Sequence, residues 1–189
     1  MTPANRYAFK EWAATCLALG DGTQSILVRK GGIHERRGHF SVEHPEFWLF
    51  PTQFHQAASD FRPEAATLLA RTAADAPPAG LVRIALFAVV EEAVELADES
   101  RLERLSALQI LSAATLTRRF YYRSPGLFVL PVRIYRLSEP IELPESPHFA
   151  GCRTWVDLER ELPTAGLSPV LSDAVHEQRL AKIRQALST

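Results

Sequence analysis

The sequence predicts one α+β domain, and three observations lead to this fold class. The chain has 189 residues, which suits a single domain with a hydrophobic core. Helical and strand periodicities both occur, in an order too irregular for the alternating strands and helices of a doubly wound sheet. The hydrophobic fraction of 47% and the charged fraction of 23% exclude a disordered tail.

The individual elements are predicted from local patterns along the chain. Spacings of three and four between Phe9, Trp12, Cys16 and Leu19 predict a first helix over residues 3–19. Further helices are predicted over residues 64–74, 100–108, 113–119 and 173–187, with one or two helical turns after Thr154. Strands are predicted over residues 24–30, 47–50, 81–96 and 127–137. We expect a core over residues 1–150 and a helical extension over residues 151–189 that packs on it.

Charge and hydropathy limit the classes of function. The formal net charge of -1 and the pI of about 6.6 exclude a uniformly basic protein that packages nucleic acid. No apolar run reaches the roughly 20 residues that a membrane-spanning helix needs. The N-terminus lacks the apolar stretch of a signal peptide, so we expect a cytoplasmic protein that does not enter membranes.

The first candidate site is the basic stretch that begins at Arg29. Gly31 and Gly32 follow a predicted strand and would expose backbone N–H groups, while Arg29 and Lys30 add positive charge. This combination favours binding of an anion such as a phosphate by these four residues. A hairpin turn with a solvated basic arm explains the same pattern, and the two interpretations stay open.

Histidines and carboxylates are concentrated between His34 and His55. His55 is the best single candidate for a catalytic or recognition residue, because it follows a buried strand closely, with Thr52 and Gln56 beside it. Imidazoles and carboxylates also suit general acid–base catalysis or a divalent metal. Their spacing matches no helix-borne metal motif, so we assign no metal and no cofactor. Alternatively, His55 and Gln56 only stabilise a turn.

A third candidate combines arginines with aromatic residues, which pair with phosphates and stack on bases. Its members are Arg118, Arg119, Tyr121, Tyr122 and Arg123. No acidic residue occurs between Arg118 and Arg136. The stretch therefore predicts contact with a nucleotide or nucleic acid, although its aromatic side chains would also serve to close a core.

Several stretches together resemble one uncharacterised bacterial family, the domain of unknown function 1802. They are FKEWA at 9–13, ILVRKGGI at 26–33, LFPTQFHQ at 49–56, the strand at 130–137 and GCRTWV at 151–156. The resemblance covers most of the chain. It implies no established activity, but it places the RKGGI and PTxFHQ stretches in the defining pattern of the family.

A weaker resemblance links the chain to ASCH domains, which belong to the PUA-like superfamily. Gly22 and Arg29 have the spacing of the G-x-K-x-x-E-x-R motif, with Gln24 and Leu27 at the lysine and glutamate positions. This resemblance implies a PUA-like β-barrel with flanking helices. It also implies an RNA, modified base or nucleotide as ligand, by analogy of fold.

These observations together predict a non-catalytic domain that binds nucleic acid or a nucleotide, with RNA, DNA or a nucleotide as partner. Two alternatives remain open. One is a metal-dependent hydrolase or phosphodiesterase that uses the region from His34 to His55. The other is a scaffold for protein interactions.

Overall fold

The computed structural model describes residues 1–30, 33–36, 39–151 and 153–188. The strands are β1 (Ala4–Trp12), β2 (Ile26–Arg29), β3 (Ile33–Arg36), β4 (His39–Val42), β5 (Glu46–Thr52), β6 (Leu81–Val90), β7 (Val94–Leu96), β8 (Leu127–Pro144), β9 (Trp155–Pro163) and β10 (Ser168–Pro169). The α-helices are α1 (Ala13–Gly20), α2 (Ala66–Ala74), α3 (Ala113–Tyr121) and α4 (Asp173–Leu187). Short 3₁₀ segments cover Ala58–Asp60, Pro63–Ala65, Glu99–Leu108 and Pro147–Phe149.

Eight strands form one mixed sheet in the order β10-β8-β6-β5-β1-β9, with β2 and β7 also paired to β8. The β1–β5 pair is parallel, and the other pairs in this sheet are antiparallel. Among the described strands, β9 pairs only with β1 and β2 pairs only with β8, so the sheet is open. The prediction of a single α+β domain with flanking helices is confirmed, but the described strands form an open sheet rather than the closed β-barrel that the ASCH resemblance implies.

The predicted helix over residues 3–19 is wrong in its first half, because residues 4–12 form β1. This strand lies between β5 and β9 and buries Ala8 and Phe9, which follow each other in the sequence, completely. A central strand covered on both faces lacks the polar–apolar alternation that identifies a strand exposed on one side. The apolar spacing therefore resembled a helix, and the helix begins only at Ala13.

The segment after residue 150 also differs from the prediction. Residues 155–163 form β9 instead of helical turns, and β9 pairs with β1 in the main sheet. A division at residue 150 thus separates two strands of one sheet, and residues 151–189 are not a purely helical extension. The final helix α4 does follow, and it buries Leu180 and Ile183.

Elements with strong local signals are confirmed. Ser112 caps α3, since its hydroxyl accepts a hydrogen bond from the Thr115 backbone N–H at 3.3 Å. Strands β2 and β5 and helices α2 and α4 also overlap the predicted segments. The predicted strand over residues 81–96 is divided into β6 and β7, β8 continues past residue 137 to Pro144, and the helix predicted over residues 100–108 is a 3₁₀ segment. One hydrophobic cluster joins α1, α3 and α4 to β2, β7 and β8, with Ala14, Val129, Phe120 and Ile183 among its members. Within the described residues, no helix combines the length and apolar character that crossing a bilayer requires.

Candidate functional site

A cleft of about 690 Å³ opens where β1, β2 and β5 end, opposite residues 145–151 and 153–154. The parallel pairing of β1 with β5 places Glu11 beside Pro51 and Trp12 beside Thr52. Two segments about 40 residues apart in sequence therefore end side by side at the same end of the sheet. Four basic side chains line the cleft: Lys10, Arg29, Arg119 and Arg153. Its acidic lining residues are Glu11 and Glu145, and its aromatic ones are Trp12, Phe50, Phe54 and Phe149.

Arg29 is fixed in the cleft wall by a buried carboxylate. Its Nη1 lies 3.1 Å from Oε2 of Glu11, whose side chain is only 2% exposed against 19% for Arg29. The other carboxylate oxygen of Glu11 accepts a hydrogen bond from the Trp12 backbone N–H at 2.8 Å. Arg29 also donates to Thr154 Oγ1 at 3.3 Å and lies over the Phe9 ring. These contacts fix the orientation of the guanidinium group before any ligand arrives.

Arg119 approaches the same cleft from α3. Its guanidinium group lies 4.6 Å from the centroid of the Trp12 ring and donates to the Val28 carbonyl at 2.8 Å. Burial lowers the pKa of Arg119, and the charge of Glu11 opposes that effect. Within the described part of the chain, Arg119 forms no ion pair. It is therefore a partly buried cation whose charge can meet an incoming anion.

Lys10 serves mainly to hold the far wall. Its ammonium group donates to the carbonyls of Phe149 and Gly151, the latter at 3.0 Å, and lies 5.5 Å from the centroid of the Phe50 ring. Arg153 is exposed on the same segment. Of the four basic side chains, two are thus oriented by β2 and α3 on one side of the cleft, one orders the opposite backbone, and Arg153 is exposed on that backbone.

Phe54 and His55 form the rim at the end of β5. Phe54 is 62% exposed, and its ring centroid lies 3.8 Å from that of His55. The backbone of His55 has a φ of 58°, in the left-handed region that non-glycine residues seldom adopt. Trp12 Nε1 donates to the Phe54 carbonyl at 3.2 Å, and the Thr52 hydroxyl accepts from the Phe54 N–H at 3.1 Å. An exposed aromatic side chain is thereby held on an ordered turn.

The sequence predicted twelve ligand-binding residues, of which four line this cleft: Arg29, Thr52, His55 and Arg119. Gln56 is not among the lining residues, and its side-chain oxygen accepts a hydrogen bond from the Ala14 N–H at 3.0 Å at the start of α1. The predicted Gly31 and Gly32 lie outside the described residues. The remaining five, Lys30, Arg118, Tyr121, Tyr122 and Arg123, are not among the residues that line the cleft.

Lys30 and Arg118 are occupied by structural contacts. The ammonium group of Lys30 donates to the carbonyls of Phe120, Ser124 and Gly126 at the C-terminal end of α3. Arg118 pairs with the buried carboxylate of Asp60. In both cases the cation satisfies acceptors of the protein itself.

Tyr121, Tyr122 and Arg123 lie on the surface after α3. Tyr121 is 51% exposed and donates its hydroxyl to Glu99 at 2.5 Å, and Tyr122 is 56% exposed. The guanidinium group of Arg123 lies 5.2 Å from the centroid of the Tyr122 ring. The residues predicted to contact a ligand therefore divide between a cleft and a separate surface patch.

Sequence reasoning assigned no ligand role to Glu11, Trp12, Arg153 or Thr154, all of which line the cleft. Trp12 was interpreted as part of an apolar helical stripe, and Thr154 as a helix cap. Glu11 and Trp12 belong to the stretch FKEWA, and Thr154 to GCRTWV. The signal that could have found them is therefore their place in these family stretches rather than their local periodicity.

The histidines do not form a metal site within the described residues, where no group of three potential ligands occurs. His44 stacks on Tyr7 with ring centroids 3.7 Å apart and meets the edge of Trp155. Burial lowers the pKa of His44. The side chains of His34 and His39 lie outside the described part of the structure. Of the other two histidines in residues 34–55, His44 thus packs against Tyr7 and Trp155, whereas His55 lies against Phe54 at the rim of the cleft.

Residues 8–182 match the family model described as Domain of unknown function (DUF1802). The chain belongs to this family. No curated protein matches this DUF1802 chain.

Two solved structures of ASCH from Zymomonas mobilis are similar to the DUF1802 chain. The first has 15% identity and a TM-score of 0.41, with 94% of each chain covered. The second is a mutant form of the same ASCH protein, with 14% identity, a TM-score of 0.42, and 96% of this chain and 99% of that one covered. ASCH is the group to which the sequence shows its weaker resemblance.

Proposed function

We propose that this DUF1802 domain binds a nucleotide, free or within single-stranded RNA or DNA, in the cleft between Arg29 and Arg119, and that it acts by binding rather than by catalysis. The observation that carries this proposal is Arg119. It is a partly buried cation without an ion-pair partner among the described residues, and it lies over Trp12 beside the fixed Arg29. A nucleotide has both groups that suit this wall, because its phosphate is an anion for the Arg119 cation and its base is planar, as an aromatic ring requires for stacking.

The aromatic residues and the cleft size suit the same ligand. Phe54 presents an exposed ring at the rim, and base stacking on such a ring contributes about 1–3 kcal/mol. The volume of about 690 Å³ lies in the range of pockets that enclose small molecules. Because Glu11 is neutralised by Arg29, the deep part of the cleft does not repel a phosphate.

The test is a binding titration with protein stripped of nucleic acid. Labelled single-stranded RNA, single-stranded DNA and duplex DNA, and the four nucleoside monophosphates, are titrated at two salt concentrations. Salt-dependent binding is expected, with a slope of about 0.7–0.9 for each phosphate contact. Arg119→Met should weaken binding at least about ten-fold, because a contact to a charged group contributes roughly 1.5–3 kcal/mol.

Arg160→Met is the matched control. Arg160 is an exposed residue of β9 that does not line the cleft, so this variant removes the same charge elsewhere. Its affinity should stay close to that of the unmodified protein. Equal losses in the two variants would reveal a general charge effect and would refute a nucleotide site at Arg119. Absence of binding at low salt for every probe would refute the function itself.

A further inference from the structure

A second cavity, of about 720 Å³, lies next to the cleft and is lined by α1, β5, β6 and the loop before β6. Phe50, Thr52, Phe54 and Glu145 belong to the walls of both. The rest of its lining is mainly apolar, with Leu17, Leu49, Val82 and Leu86 as examples. This volume also lies in the range that encloses small molecules.

The uncharged polar side chains in this wall already have partners within the protein. The Gln53 side-chain amide donates to the Thr72 carbonyl at 2.9 Å, and the Thr72 hydroxyl donates to the Leu69 carbonyl at 2.7 Å. Cys16 lines the cavity as well, and burial raises the pKa of its thiol well above the usual range, so the thiol is neutral. A ligand there would gain few new hydrogen bonds and would be held by apolar contact.

The charges around the second cavity have the opposite balance to those of the cleft. Arg83 is occupied, since it donates to Glu142 at 2.9 Å and to the Asp75 carbonyl at 3.0 Å. Asp75 and Glu145 are exposed acidic lining residues, and neither forms an ion pair with a described residue. Asp75 lines only the second cavity, where two carboxylates beside one neutralised cation disfavour an anion, whereas in the cleft Glu145 shares the lining with four basic side chains.

We infer that the second cavity is a binding site for an uncharged apolar small molecule, aromatic or alkyl, distinct from the anionic ligand of the cleft. The inference does not depend on the proposed nucleotide function. It rests on the apolar wall, on the satisfied polar groups, and on the acidic side chains that select against anions.

Two related dyes test it directly. Phenylnaphthylamine is neutral, and anilinonaphthalene sulfonate carries an anionic group on a closely related scaffold. In fluorescence titrations the neutral dye should bind the second cavity in a one-to-one ratio. Its affinity for this cavity should be at least about ten-fold higher than the affinity of the sulfonated dye. A nucleoside monophosphate should not compete for that site.

Paired exposed alanines locate the site. Ala79 lines only the second cavity and Ala150 lines only the cleft. Ala79→Trp should weaken binding of the neutral dye at least about ten-fold by filling the space. Ala150→Trp should leave that affinity unchanged. Ala76→Trp, in the same loop as Ala79, is a second variant that should fill the cavity. Circular dichroism verifies that each variant folds.

The inference is overturned if the neutral dye does not bind, if neither Ala79→Trp nor Ala76→Trp weakens its binding, or if the sulfonated dye binds the second cavity equally well. Neither of the first two results would affect nucleotide binding at Arg119, which the cleft titration measures separately. Loss of neutral-dye binding in Ala150→Trp alone would place the dye in the cleft and would also count against a second site.

Discussion

Two pairs of basic residues that are adjacent in sequence, 29–30 and 118–119, each have one member in the lining of the cleft and one outside it. Arg29 and Arg119 line the cleft, where each guanidinium group lies over an aromatic ring. Their neighbours Lys30 and Arg118 lie outside its lining, one on three backbone carbonyls and the other on a buried carboxylate. Residues of the same charge, adjacent in sequence, therefore line the cleft of the proposed ligand on one side and stabilise the fold on the other.

The difference follows from side-chain periodicity. Successive side chains of a strand point to opposite faces, and successive side chains of a helix diverge by about 100°. Arg29 ends β2 and Arg118 and Arg119 lie on α3, so neighbouring cations cannot all face one ligand. A dense run of basic residues in a sequence thus overstates the positive charge available at any one site.

Replacing Arg29 would have the largest effect, because this cleft residue also has a structural role. Arg29→Ala leaves the Glu11 carboxylate buried without its cation, and breaking such a pair costs about 3–5 kcal/mol. We expect a loss of that size in the free energy of unfolding, measured by urea denaturation. The double variant Arg29→Ala with Glu11→Gln should recover much of the stability, since the buried charge is gone.

The same two variants separate stability from recognition. The double variant should fold but bind nucleotide more weakly than the unmodified protein, because the cation has not been restored. Recovery of binding together with stability would contradict a ligand role for Arg29. An unchanged stability in Arg29→Ala would show that Glu11 is not held by this pair.

Replacing Lys30 should affect stability alone and by a smaller amount. Lys30→Met removes the donors to three carbonyls near the end of α3, and hydrogen bonds to a charged group contribute roughly 1.5–3 kcal/mol. We expect a loss of about 2 kcal/mol in urea denaturation. The affinity of the cleft at a fixed salt concentration should change by less than about two-fold. A large loss of affinity with normal stability would return Lys30 to the ligand site that the sequence predicted.

Much of the fold could be predicted because many elements carry local signals. Ser112 before α3 and the apolar run of β5 identify their elements without tertiary information. By contrast, β1 and β9 depend on their partners, since β1 is covered on both faces and β9 pairs with the other end of the chain. Long-range pairing of this kind overrides local periodicity.

The candidate site divides in the same way. Arg29, Thr52, His55 and Arg119 were found because charge and strand ends are visible in the sequence. Glu11 was not, because its role depends on a tertiary contact that places its carboxylate against Arg29 at the end of β2. The choice between Arg118 and Arg119 depended on the position of Asp60, about 60 residues earlier in the chain, which no local pattern reveals.

The smallest expected effect is a pH dependence of the free energy of unfolding that arises from the Asp60–Arg118 pair. Burial by itself would raise the pKa of Asp60, but hydrogen bonds from Arg118, the Ala57 N–H and the Thr115 hydroxyl lower it below the usual value. A carboxyl group with a lowered folded-state pKa stabilises the fold above its unfolded pKa of about 3.9. That contribution is lost as the pH falls through the folded-state value.

Arg118→Met removes the main favourable partner of Asp60 and should raise its pKa. The stability difference between the unmodified protein and this variant should therefore be constant from neutral pH down to about 5 and shrink below about 4. Urea denaturation at a series of pH values measures it. Arg123→Met, a change at an exposed arginine that lies over Tyr122, is the control and should show a difference independent of pH. A constant difference for Arg118→Met down to about pH 2 would mean that Asp60 is not held ionised by Arg118, and the division between recognition and stability would then fail at α3.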